Sequence, residues 1–403
     1  MSARVRRKIV HFACVMALVA FCCLSFTAMA QETEKIQTGA EQVAEYVKLL
    51  GKKNVGVVAN QTSIVGKTHL VDVLLSLNVR VKKILTPEHG FRGVAEAGEN
   101  INSSVDKTTG LPIISLYGDH KKPTPEDLEG IDIIVFDLQD VGVRFYTYSS
   151  TLQYVMEACA ENKKKLILLD RPNPNGFYVD GPMLEPAFKS FVGLNPIPVV
   201  HGLTLGEYAQ MLNGEGWLAE KAKCDVTVIP VKHYRHNMQY VLPVKPSPNL
   251  PNMTAVHLYP SLCFFEGTIV SIGRGTEFPF QIVGYPGFNE GPFSFTPKQN
   301  PNMKVAPLYE GRLCNGFDLR EFGEYYIPSL KKLYLFWLKN IYDNYEPKDK
   351  FFNSYFDTLA GTDKLRKQIV SGANEEDIRK TWQDDLIAYK AMRKKYLLYP
   401  DFE

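Results

Sequence analysis

From residue 54 onward the chain alternates short continuous apolar runs with segments whose apolar residues recur every three or four positions. Val55 to Ala59 is a run bounded by polar residues, and Leu70, Val73, Leu74 and Leu77 then fall at helical spacing behind a capping candidate at Thr68. Runs at Val81–Leu85, Pro112–Leu116, Ile131–Phe136 and Leu166–Leu169 repeat the strand pattern, while Leu152, Val155, Met156 and Cys159 mark one face of a helix. This alternation predicts an α/β fold, a Rossmann-like parallel sheet with helices on both faces. After about residue 222 the texture changes. A strand pattern at Asp225–Val231 is followed by the proline-rich stretch Pro243–Pro251 and three helix patterns: Ser329–Asn344, Thr362–Val370, and one from Asn374 that shows Ile378, Trp382, Leu386 and Tyr389. The expected organisation is a catalytic domain over residues 31–222 and a smaller α+β domain over 223–403, whose aromatic-rich 258–288 region lines the cleft.

In parallel sheets the ligand crevice lies beyond the carboxyl ends of the strands. Five successive strand ends here carry chemistry: Asn60 and Gln61; Glu88, His89 and Arg92; Tyr117; Asp137, Gln139, Asp140, Arg144 and Tyr146; Asp170, Arg171 and Asn173. One such residue is usually a cap or a solvated charge, but five sets in series predict a shared pocket.

The first thirty residues follow another pattern. Arg4, Arg6, Arg7 and Lys8 precede an apolar stretch from Ile9 to about Phe26, and Ala28-Met29-Ala30 supplies a small-x-small cleavage site. An export signal over residues 1–30 is therefore expected, with periplasmic localisation; secretion or an uncleaved anchor is the alternative. Without this segment Lys+Arg falls from 46 to 42 against 44 Asp+Glu, so the formal charge moves from +2 to −2 and nothing points to nucleic acid. Cys159, Cys224, Cys263 and Cys314 remain, none at CxxC spacing, which is the pattern of buried small hydrophobes.

Among chemistries, dinucleotide binding lacks its glycines: Val58-Ala-Asn-Gln-Thr62 contains no GxGxxG, and no Walker A sequence occurs, so no cofactor is expected. A metal-dependent hydrolase would have to gather His89, Asp137, Asp140 and His201 from separate loops, without any local pairing such as HExxH. Glycoside hydrolysis needs two carboxyl groups flanking one bond. Glu88 and Glu266 suit it, because each follows an apolar run and precedes a glycine or its neighbour, a setting that half-buries a carboxyl group. Phe91, Tyr117, Tyr146, Tyr148, Phe264, Phe265 and Phe278 are candidates for a sugar-stacking wall.

Six motifs carry a resemblance: Val57–Thr62, Pro87-Glu-His-Gly-Phe-Arg-Gly93, Val135–Tyr148, Leu169-Asp-Arg-Pro-Asn-Pro174, Phe265-Glu-Gly-Thr268 and Gly273-Arg-Gly-Thr276. Together, and over nearly all the chain beyond the leader, they resemble the DUF1343 family of NamZ-type exo-β-N-acetylmuramidases. The resemblance implies an exo-acting glycosidase that removes N-acetylmuramic acid from the non-reducing end of peptidoglycan fragments, with the proposed catalytic glutamate at Glu88. Such a sugar carries a lactyl carboxylate, for which Arg92, Arg144 and Arg274 are candidate clamps. If the 2-acetamido group is the internal nucleophile, Asp140 or Glu266 would orient it, His89 would help set protonation, and Asn60, Tyr117, Asp137, Tyr146, Asn173 and His201 would contact sugar. Retention, inversion and substrate assistance remain open at this level. The competing reading is a non-catalytic cell-wall sugar-binding protein of the same shape.

Overall fold

A computed structural model describes residues 34–403 apart from 89, 92–103, 301, 302 and 304. Residues 37–403 form one compact unit. The leader, His89 and Arg92 lie outside the described residues. No helix among those described is long and apolar enough to cross a membrane.

The architecture is the expected α/β one. Seven strands form the main sheet: β1 (Asn54–Ala59), β2 (Arg80–Thr86), β3 (Ser104–Val105), β4 (Pro112–Ser115), β5 (Ile133–Asp137), β6 (Lys165–Leu169) and β7 (Val226–Ile229). Their order is β7-β6-β5-β1-β2-β4-β3, parallel throughout except for the edge strand β3. Every residue of β5 is buried, which is why the sequence reads as an unbroken apolar run there. Helices α1 (Val43–Leu50), α2 (Leu70–Ser76), α3 (Tyr148–Glu161) and α4 (Leu205–Gly214) connect and cover the strands. The cap of α2 is His69 rather than Thr68: its ring Nδ1 accepts the Val71 N–H at 3.2 Å. Strand β7 lies beyond residue 222, where the chain was expected to change domain, yet it pairs in parallel with β6 from Val226 to Ile229.

The rest of the chain contributes α5 (Met253–Leu262), a three-stranded antiparallel sheet of β8 (Ile282–Tyr285), β9 (Phe293–Phe295) and β10 (Cys314–Asp318), and the helices α6 (Phe336–Asp343), α7 (Tyr355–Ala360), α8 (Lys364–Val370), α9 (Glu375–Lys380) and α10 (Gln383–Arg393). One buried cluster runs through both parts, bringing Phe145 and Leu152 together with Tyr259, Phe264 and Phe280. Burial of this kind, at about 25 cal/mol per Å² of apolar surface, is what holds the later helices onto the sheet.

Two helix patterns break where the sequence suggested continuity, and both breaks serve Asp180. The pattern over Ser329–Asn344 is interrupted at Lys331, whose φ is +49°, and the Leu333 N–H donates to Asp180 Oδ2 at 2.8 Å. The pattern from Asn374 divides between α9 and α10, where the Trp382 indole N–H donates to Asp180 Oδ1 at 3.1 Å. Arg379 completes the cluster with an ion pair to Oδ2 at 2.7 Å. A buried carboxylate demands such donors, and that demand outweighs the local preference for continuous helix.

Candidate active site

The crevice where the strand order reverses lies between β1 and β5, the expected place for a ligand in such sheets. Here it is filled by the protein's own polar side chains. Asp137 is fully buried and both its oxygens are taken by Arg171, with Nε to Oδ1 at 2.6 Å and Nη2 to Oδ2 at 2.9 Å. Asn60, also fully buried, accepts the Thr62 N–H at 2.9 Å and donates to the Tyr148 hydroxyl at 2.7 Å. Asn173 donates to Leu203 O at 2.8 Å and packs so tightly on Gly142 that a Cβ there would stand 2.0 Å from its Oδ1. Asp170 accepts from Thr204 Oγ1 and the Gly206 N–H at the start of α4. Asp137, Asn60 and Asn173 are therefore structural residues behind the pocket and not sugar contacts. Asp137 is committed to Arg171, and among the described residues, which leave out His89, no group of three or more His, Cys, Asp or Glu side chains is placed to hold a metal ion.

The open cleft is displaced toward β2, β4 and the later helices. Its volume is about 350 Å³. Glu88 enters from the loop after β2, Tyr117 from the end of β4, and Phe145, Tyr146 and Thr147 from the turn between β5 and α3. The later part of the chain adds Tyr259 of α5, Cys263, Glu266, Arg274 and Phe280, together with Tyr355 and Leu359 of α7. Ser247, Asn249 and Leu250 come from the proline-rich strap. That strap is pinned by Gln61 and Tyr146, whose side chains donate to Pro246 O at 3.0 and 2.9 Å.

Of the expected site residues, the cleft brings together Glu88, Tyr117, Tyr146, Glu266 and Arg274. Glu88 is half-buried, and Oε2 accepts from Thr147 Oγ1 at 3.0 Å. Thr147 stands at the N-terminus of α3, where its hydroxyl makes no capping bond to the helix and reaches Glu88 instead. Glu266 accepts from Arg274 Nη2 at 2.9 Å, and the Arg274 guanidinium also lies 5.5 Å from the centre of the Phe280 ring. Burial pulls the Arg274 guanidinium down, but the Glu266 carboxylate paired with it, helped by the Tyr259 phenol and the Cys263 thiol, holds it above its usual value.

Three other expectations are corrected. Arg144 is buried, and its guanidinium donates to four main-chain carbonyls, those of Pro182, Ile197, Leu359 and Ala360. It stitches segments together and offers nothing to a lactyl group. His201 is buried too: its Nδ1 accepts the Leu203 N–H, and its Nε2 lies 3.8 Å from Asp140 Oδ2. That separation is too long for a hydrogen bond, and burial pulls His201 down to about 3, so the contact is not an ion pair. Asp140 sits behind the cleft rather than in it, with Oδ2 accepting the Gly142 N–H at 2.6 Å.

Burial pushes Asp140 up from 3.8 to about 7, against the pull of the Gly142 and Val141 N–H groups. Between about pH 4 and 7 the folded form thus keeps a proton that the unfolded chain has lost, and this contribution to stability declines as pH rises through that window. Asp140→Asn keeps an acceptor for Gly142 and removes the decline. The melting temperature of the variant minus that of the wild type is expected to be larger at pH 8 than at pH 5, measured by thermal unfolding; equal differences would refute the shift.

The aromatic wall is partly other than expected. Tyr117 and Tyr146 line the cleft, but Phe264 and Phe265 are core, Phe91 is buried edge-on against His69, Phe278 lies under Arg320, and Tyr148 is buried beneath Asn60. Tyr259 and Phe280, in the 258–288 region expected at the cleft, line it too, with Tyr259 edge-on to both Phe145 and Phe280 at 5.4 and 4.9 Å; the rings not singled out from the sequence are Phe145 and Tyr355. Phe145 stands inside the Val135–Tyr148 motif, whereas Tyr355 stands in a stretch with no motif.

Two carboxyl groups on separate elements, facing one aromatic-walled cleft at the carboxyl edge of a parallel sheet, are the parts of a glycoside hydrolase. The chain belongs to the NamZ family of exo-β-N-acetylmuramidases: its residues 55–254 match the family's N-terminal model and residues 257–399 the C-terminal one. It is 38% identical over 393 residues to the peptidoglycan β-N-acetylmuramidase NamZ of Bacillus subtilis, covering 91% of this chain and 92% of that protein. Crystal structures of two DUF1343 family proteins from Bacteroides fragilis share the fold. The first has a TM-score of 0.85 at 46% identity, covering 91% of this chain and all of the other, and the second 0.77 at 29%, covering 90% and 99%.

Proposed function

We propose that the chain is an exo-β-N-acetylmuramidase that releases terminal N-acetylmuramic acid from the non-reducing end of peptidoglycan fragments, exported to the periplasm by residues 1–30. The observation that carries this reading is the placement of Glu88 and Glu266, from separate elements, in the lining of one cleft. The name of the Bacillus relative supplies the substrate.

Glu88 is the general acid. It gives its proton to the glycosidic oxygen while the 2-acetamido carbonyl oxygen attacks the anomeric carbon and the bond to the leaving sugar breaks. Water then attacks the same carbon, Glu88 takes the proton back, and the amide reopens. Glu266, held by Arg274, accepts the amide N–H and offsets the positive charge that develops on the ring. Arg274, the arginine lining the cleft among the described residues, also meets the lactyl carboxylate with the rest of its fork.

Hydrolysis of a MurNAc-GlcNAc disaccharide followed by the anomeric proton signal tests this directly. Release of N-acetylmuramic acid is expected with the β-anomer appearing first and mutarotating later. The α-anomer first would exclude the internal nucleophile, and absence of release would exclude the activity.

A further inference from the structure

The turn carrying Glu266 is bolted to the segment that leads into α7. The Asn353 N–H donates to Gly267 O at 2.9 Å, and the Ile269 N–H to Phe351 O at 3.0 Å. The Asn353 side chain spans the junction: Nδ2 donates to Glu266 O at 3.2 Å, while Oδ1 accepts the Tyr355 N–H at 2.8 Å. Gly267 makes this approach feasible, because a Cβ there would stand 2.3 Å from Phe356 Cα. Tyr355, the first residue of α7, is thereby fixed in register with Glu266. Its ring lines the cleft, and its phenol lies in the field of both Glu266 and Glu88.

We propose that Tyr355 is a specificity-determining residue of this site, its hydroxyl donating to the 2-acetamido carbonyl oxygen of the terminal sugar while Glu266 accepts the amide N–H. An amide presents one donor and one acceptor. A carboxylate only accepts, so the partner for the carbonyl has to be a donor that keeps its proton. Although the residue is 38% exposed, the cleft walls around its phenol, and the nearby Cys263 thiol and Glu266 and Glu88 carboxyl groups after them, push Tyr355 upward, so it remains a donor at any working pH. The hydroxyl engages one lone pair of the carbonyl oxygen and leaves the other aimed at the anomeric carbon. Tyr355 comes from the later half of the chain and Glu88 from the sheet, so the amide is read only when the two halves meet.

This inference rests on the muramidase reading, and one set of measurements separates the two. Tyr355→Phe keeps the ring and removes only the hydroxyl. On an aryl N-acetylmuramide its kcat/KM is expected to fall roughly 10- to 100-fold, the scale of one lost hydrogen bond to a buried acceptor, with an unchanged melting temperature. The competing inhibitors N-acetylmuramic acid and muramic acid, which differ only in the acetyl group, then report recognition. The wild type is expected to prefer the acetylated sugar, and Tyr355→Phe to lose that preference by a similar factor. An active wild type whose preference survives in the variant overturns the role of Tyr355 alone. A wild type that neither cleaves the aryl glycoside nor binds either sugar overturns the muramidase reading and this inference with it.

Discussion

Glu88→Gln is expected to leave a folded protein whose hydrolysis of a MurNAc-GlcNAc disaccharide is slowed by roughly 100- to 10,000-fold, the range that one positioned proton donor contributes. Folding survives because the glutamine carbonyl still accepts from Thr147 Oγ1, the 3.0 Å bond that orients the wild-type side chain. The loss depends on the leaving group. A free sugar alcohol must be protonated as its bond breaks, whereas a nitrophenolate needs little help, so the variant loses less on a nitrophenyl glycoside than on the disaccharide. A uniform loss on both substrates assigns Glu88 to binding, and wild-type-like turnover removes it from the chemistry. The same comparison separates an enzyme from a sugar-binding protein of identical shape, since only the enzyme shows a leaving-group effect.

Arg144→Met is expected to destabilise the protein by roughly 3 to 5 kcal/mol, read as a lower melting temperature and denaturant midpoint, whatever the substrate. The side-chain volume is largely retained, but four buried carbonyls, from Pro182, Ile197, Leu359 and Ala360, lose their donors together. Burial alone lowers the Arg144 guanidinium to about 9, which leaves it cationic at neutral pH and dependent on those carbonyls. Two of them lie at the end of α7, which carries Tyr355 and Leu359 at the cleft wall. Lost activity in this variant should therefore track lost folding; an Arg144→Met protein of unchanged stability but weakened muramic acid binding would restore Arg144 as a clamp.

Much of the sheet was legible because its strands are buried on both faces. Val55–Ala59 and Ile131–Phe136 read as unbroken apolar runs, and β1 and β5 occupy nearly those residues. The later helices were harder. Lys331 and Trp382 break helical patterns because Asp180, more than a hundred residues away in sequence, requires their neighbourhoods as hydrogen-bond donors. No window of local periodicity contains that demand. At the site, the motifs around Glu88 and Glu266 were visible as charged residues set among apolar neighbours and glycines. The Asp137, Asn60 and Asn173 motif residues looked equally chemical, yet each is satisfied from within the protein: Asp137 by Arg171, Asn60 by Thr62 and Tyr148, and Asn173 by Leu203.

The sequence by itself determined the parallel sheet, its strand ends as the chemical edge and the two glutamates, because those follow from the period of apolar burial and from residue type. Tertiary structure decided which strand-end groups face the ligand. Asp137 met Arg171, Asp140 and His201 were buried, Arg144 was spent on carbonyls, and the opening moved to where α5 and α7 bring Tyr259 and Tyr355 into one cleft with Glu88. The physical reason is that a polar side chain is free to bind a substrate only if no other part of the chain satisfies it first, and that depends on segments far apart in sequence.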